Sequence, residues 1–178
     1  MKTVLLILVF IASSHNLSAQ ALKPLDVYLK SNEVSQEAKD YYNKEFKGSD
    51  NDKTFSILDS LETRNNNTRP FYIFLATLML QSSDGALSEG LGRYCAAFIE
   101  SHPTELVAYT VSLPRLQKEK TIDNWAMGAA GEFYNSCKPK EMECIDRSFN
   151  NARKKSSESQ VSVLKDIYSL IRHYCANM

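Results

Sequence analysis

Set aside its first twenty residues, and this sequence holds two histidines, no surplus of either charge, no apolar run longer than ten residues and scarcely any alternating polar–apolar pattern. Each shortage excludes something. Loss of Lys2 with that leading segment leaves 20 basic against 21 acidic residues, so there is no basic stripe of the kind that displaces counterions from nucleic acid. The longest internal apolar run, Phe71 to Leu80, follows Arg69-Pro70 and is half the length of about twenty residues that a hydrocarbon core demands. It reads as a buried helix, and no membrane span is expected in the mature chain. Without alternation there is no case for half-buried strands, and no motif recurs at a fixed period.

Reactive constellations are equally scarce. His102 precedes Pro103 on a turn, where solvent is the usual surrounding, and His173 stands near the end of the last helical segment. There is no G-x-S-x-G elbow, no H-E-x-x-H helix and no glycine-rich phosphate loop. The cluster Asp50-Asn51-Asp52 begins like a calcium loop, but Phe55 takes the glycine place and Leu61 the final glutamate place. A zinc set of Cys137, Cys144, His173 and Cys175 fails on spacing: six residues separate the first two cysteines, and two positions apart on a helix point to different faces. No metal and no cofactor are expected. Carboxylate pairs such as Glu141/Glu143, or Asp123 with Glu132, are the remaining material for acid–base chemistry, and a solvated helix face is the commoner origin of such pairs.

What is present begins with the leader. Met1-Lys2, the apolar run Val4 to Ala12 and the exit Ser18-Ala19-Gln20 describe a secretory signal peptide over residues 1–20, with cleavage after Ala19 or Ala21. The Ser-Ala-Gln ending resembles bacterial export signals. Residues 21–178 then form a single helical domain of ordinary size, delivered to an extracytoplasmic space, periplasmic or secreted.

Within that domain helical punctuation is dense. Segments are expected at 25–29, 35–46, from the acidic cluster at 50–52 through Leu61, and over 71–81 with Pro70 in the first turn. Leu87, Leu91, Tyr94, Cys95 and Phe98 make one continuous face over 84–101. Further helices follow at 104–113, at 121–137 with the small-residue centre Ala126 to Gly131, and at 140–154. The last is opened by the capping-box pair Ser157 and Gln160. Short connections make successive helices antiparallel neighbours. The expectation is an all-α fold, an irregular superhelix of stacked helix pairs with a HEAT- or TPR-like shape, or alternatively an irregular helical bundle.

Four cysteines in an oxidising space favour disulfides. Cys137 and Cys144 straddle Pro139, each about a turn from the corner, within reach of the Cα spacing a disulfide requires. Cys95 with Cys175 is the pairing left over; Cys137 with Cys175 is the rival, and buried free thiols are the plain alternative for the second pair. Trp125 and Tyr134 are the candidate protein-binding residues, because Ala126, Ala129 and Ala130 already supply a packing face for their helix. The functional expectation is an exported, non-enzymatic protein-binding module with a protein partner, of inhibitor or immunity type. The alternative is a secreted hydrolase working through paired carboxylates.

Overall fold

A computed structural model describes residues 22–63, 65–83 and 85–178. The expected leader over 1–20 lies outside the described residues. Among those residues 78% are helical and none is in a strand. The nine helices among the described residues are α1 (Leu25–Lys30), α2 (Gln36–Tyr42), α3 (Asp52–Asp59), α4 (Arg69–Ser82), α5 (Gly85–Ser101), α6 (Pro103–Ser112), α7 (Arg115–Cys137), α8 (Glu141–Lys154) and α9 (Glu158–Ala176), with one 3₁₀ turn at Ser60–Glu62.

Local chemistry sets the helix starts. The Ser35 hydroxyl accepts from the Ala38 amide at 3.2 Å and the Asn51 side chain accepts from the Thr54 amide at 3.0 Å, each using a donor that the first turn leaves free. At α9 the Gln160 side chain accepts the Ser157 backbone N–H at 2.9 Å, as the capping-box reading expects. Two boundaries differ from expectation by more than two residues. Helix α2 stops at Tyr42 rather than Phe46, because Lys44 adopts a left-handed φ of 62° and turns the chain. Helix α7 starts six residues before Thr121, directly after Pro114, whose fixed φ suits a helix entrance; the Arg115–Glu119 pair at 2.9 Å supports its first turns.

The all-α class is as expected, and the helices pack as a bundle. In a linear stack each helix touches only its neighbours. Here α7 touches α4, α5, α6, α8 and α9, and packs most extensively on α5 and α9. The small residues of α7 make this possible. Ala126, Ala129 and Ala130 are fully buried, and α5 comes so close that a Cβ on Gly92 would stand 2.9 Å from the Gly128 carbonyl oxygen. Aromatic rings fill the wider spaces: Tyr28 stacks on Phe71 at 5.1 Å, and Phe98 lies 5.6 Å from Trp125.

Two expectations are corrected by this packing. Trp125 is 0% exposed, so it offers no surface to a partner. The alanine stripe does supply one packing face, but α7 is covered on several sides, and the tryptophan side is covered too. Its indole N–H donates to the Thr77 hydroxyl on α4 at 3.0 Å. Cys95 and Cys175 are both free and buried. Cys95 sits against Gly128 of α7, whose added Cβ would meet Sγ at 3.1 Å, while Cys175 belongs to α9; α7 packs against both helices. The other pair is bonded: Cys137 and Cys144 join across the α7–α8 corner with their Cα atoms 6.4 Å apart.

Candidate functional site

The glycines that bring α5 and α7 together leave a groove beside the contact. Asn124, Met127, Gly128, Gly131 and Asn135 recur at helical spacing along one face of α7 and form its wall. Ser88, Glu89 and Gly92 of α5 face them, Leu80 and Ser83 close the α4 end, and Met178 closes the other side, around a volume of about 250 Å³. Gly131 opens directly into this space, since a Cβ there would meet nothing within 4 Å. Met127 and Met178, 45% and 51% exposed, give the groove a flexible apolar rim.

The groove is polar at defined points. The Asn124 Nδ2 group is shut off from solvent and has no acceptor among the described residues, a burial that costs about 1–3 kcal/mol. Glu89 and Glu132 place two carboxylates on the lining, the second accepting a hydrogen bond from the Ser136 hydroxyl. Among the described residues the lining holds no basic side chain. Chemically the groove suits an apolar group that carries a cation.

The residues singled out in the sequence scatter around this site. Tyr134, one helical turn from Gly131, is half-buried against the core, and the Lys138 ammonium lies 3.4 Å from its ring centre. That cation covers one face of the ring. Asp123 and Glu132 are not brought together: Asp123 accepts from the Tyr174 hydroxyl on α9, whereas Glu132 lines the groove. Glu143 is exposed and pairs with Lys140 at 3.4 Å. Burial pushes the Cys95 thiol well above its ordinary value, which suits packing and not nucleophilic chemistry. Burial also raises Cys175, with Glu141 adding to the effect and Lys138 opposing it. No group of three or more His, Cys, Asp and Glu side chains is gathered for a metal ion among the described residues.

A second polar cluster joins the starts of α4 and α6. Arg69, in the first turn of α4, is 3% exposed. Its guanidinium binds the Glu105 carboxylate, the Thr63 carbonyl and, at 2.8 Å, the Asn66 side chain. The two ring nitrogens of His102 face Glu105 at 3.3 Å and Glu62 at 3.4 Å. Burial alone would raise the Glu105 carboxyl, but the hydrogen bond from His102 and the charge of Arg69 outweigh it and hold it below its ordinary value. His102 is thus not a solvent-facing turn residue; it is part of the bolt that joins the starts of α4 and α6.

Comparison with protein-family models, with curated proteins and with solved structures finds no match to this chain. Function must therefore be argued from the site itself.

Proposed function

We propose that this chain is an exported, non-enzymatic protein-binding module, of inhibitor or immunity type, and that it binds through the α5/α7 groove. The observation that carries the reading is the open face of Gly131 beside the exposed methionines 127 and 178, with Glu89 and Glu132 on the same lining. A partner loop seats one apolar side chain against Leu80, Met127 and Met178, in the space that Gly131 leaves open. A lysine or arginine next to that side chain answers Glu89 and Glu132. Methionines at such a surface adapt to the shape of the group they receive. Export is supported by the leader's composition and by the Cys137–Cys144 bond, since such bonds persist where the surroundings are oxidising.

Fluorescence polarisation with short labelled peptides tests the binding. A leucine flanked by lysines should bind, its glutamate-flanked counterpart should not, and Gly131→Leu should abolish binding without lowering the melting temperature, since leucine is a better helix former than glycine. Equal retention of the two peptides, or full affinity in Gly131→Leu, overturns the reading. N-terminal sequencing of the protein recovered outside the cytoplasm tests the export, with Gln20 or Leu22 expected first.

A further inference from the structure

A larger cleft lies at another corner of the bundle, where the turn after α2 meets the end of α4 and one residue of α7. Its volume is about 760 Å³, within the usual range for a small-molecule site of about 300–1,000 Å³. Its walls combine three rings, Tyr41, Tyr42 and Phe46, with three exposed lysines, Lys44, Lys47 and Lys120. Among the described residues Glu45 is the one acidic side chain on the lining, so the cleft carries a local positive charge in a chain with none overall.

The rings are held in place from behind. Tyr42 packs 6.0 Å from Phe71 and 6.2 Å from Phe74, both on α4, and Tyr41 lies 5.7 Å from Phe46. Gly48 lets the loop fold back on Tyr41: a Cβ there would already touch the ring at 3.3 Å. Lys44 occupies its left-handed φ of 62° without being glycine, a conformation that costs a side-chain-bearing residue about 1–2 kcal/mol. Lys53, with its ammonium 5.7 Å from the Phe46 ring centre, places a further cation at the edge. Gln81 and Ser82, from the last turn of α4, add hydrogen-bonding groups on the remaining side.

We infer that this cleft binds a small organic anion with a planar, apolar body: an aromatic ring bearing a carboxylate, sulfate or phosphate. The rings offer flat apolar surface that is already ordered, so a planar ligand loses little by stacking there. Lysines are compact point charges, suited to an anionic group that sits at the mouth of the cleft and is approached from several sides. The inference is independent of the α5/α7 groove, which has the opposite charge and a different lining.

Two-dimensional NMR of the mature protein with phenyl phosphate, inorganic phosphate and benzyl alcohol tests it. Phenyl phosphate should shift the amide signals of residues 41–48 and 78–82, with a Kd about tenfold below that of either other probe, because each of those lacks one half of the recognition. The combined change Lys44→Gln, Lys47→Gln and Lys120→Gln should raise that Kd about tenfold at low salt, as three exposed charge contacts are worth, with an unaltered circular dichroism spectrum. Shifts confined to other parts of the chain, equal affinity for the three probes, or full affinity in the triple variant each overturn the inference.

Discussion

The indole N–H of Trp125 donates to the hydroxyl of Thr77 at 3.0 Å, linking α7 to α4 across 48 residues of sequence. Thr77 in turn donates to the Ile73 carbonyl at 2.8 Å, so its hydroxyl is used in both directions. Truncation at this point removes a fully buried ring and takes from the Thr77 oxygen the donor it accepts from, while its own bond to Ile73 remains. Trp125→Ala should destabilise the domain by about 3–5 kcal/mol. Trp125→Phe keeps most of the volume but loses the donor, and should cost about 1–2 kcal/mol. Urea unfolding of both variants separates the packing contribution from the hydrogen bond.

The cysteines can be counted directly. Alkylation of denatured, unreduced protein should label Cys95 and Cys175 and leave Cys137 and Cys144 untouched; labelling at all four positions would contradict the bonded pair. In the chain-entropy description a short closed loop is worth about 2–3 kcal/mol, so Cys137→Ser should lower the melting temperature to a matching degree.

Acid should weaken the bolt at the start of α6. The Glu105 carboxyl is held below its ordinary value when folded. A depressed carboxyl contributes stability that is complete above the unfolded value of about 4.3 and is lost as the pH falls through the folded one. Glu105→Ala removes that contribution and leaves Arg69 buried without its counter-charge, a loss of about 3–5 kcal/mol at neutral pH. Urea midpoints measured between pH 3 and pH 7 should therefore fall towards acid in the native protein, and fall less steeply in the variant.

Two glycines of one interface should respond in opposite directions. At Gly92 an added methyl meets the Gly128 carbonyl oxygen at 2.9 Å, and backbone cannot swing aside. Gly92→Ala should push α5 from α7 and cost about 1–3 kcal/mol. Gly131 has open space where that methyl would go, so Gly131→Ala should stabilise α7 by up to about 1 kcal/mol through helix propensity alone. Thermal melts of the pair suffice to check the signs.

What was legible in the sequence is what depends on neighbours in the chain. Pro70, Pro103, the Ser157/Gln160 pair and the Leu87-to-Phe98 face place helices because capping and periodicity act within a few residues. The Cys137–Cys144 bond was legible for the same reason, since a corner at Pro139 brings both ends together locally. Trp125 was misread because helical spacing shows which residues share a face, not how many faces neighbours cover. Cys95 and Cys175 were paired by elimination, without knowledge that α7 packs against both of their helices. Arg69 gave no signal at all: an arginine before a proline reads as surface, and only the convergence of Thr63, Asn66 and Glu105 makes it a core residue. The groove was half visible, as the run Ala126 to Gly131 marked a close helix approach but not which of its glycines would be left open.

The corner that Cys137 and Cys144 close carries exposed Lys138, Pro139 and Lys140. A protease that severs the bond after Lys140 therefore does not divide the molecule. The carboxyl-terminal piece, with α8 and α9, remains attached through sulfur as well as through its packing on α7. Such a nicked chain keeps its hydrodynamic size and comes apart into two bands only under reducing, denaturing conditions.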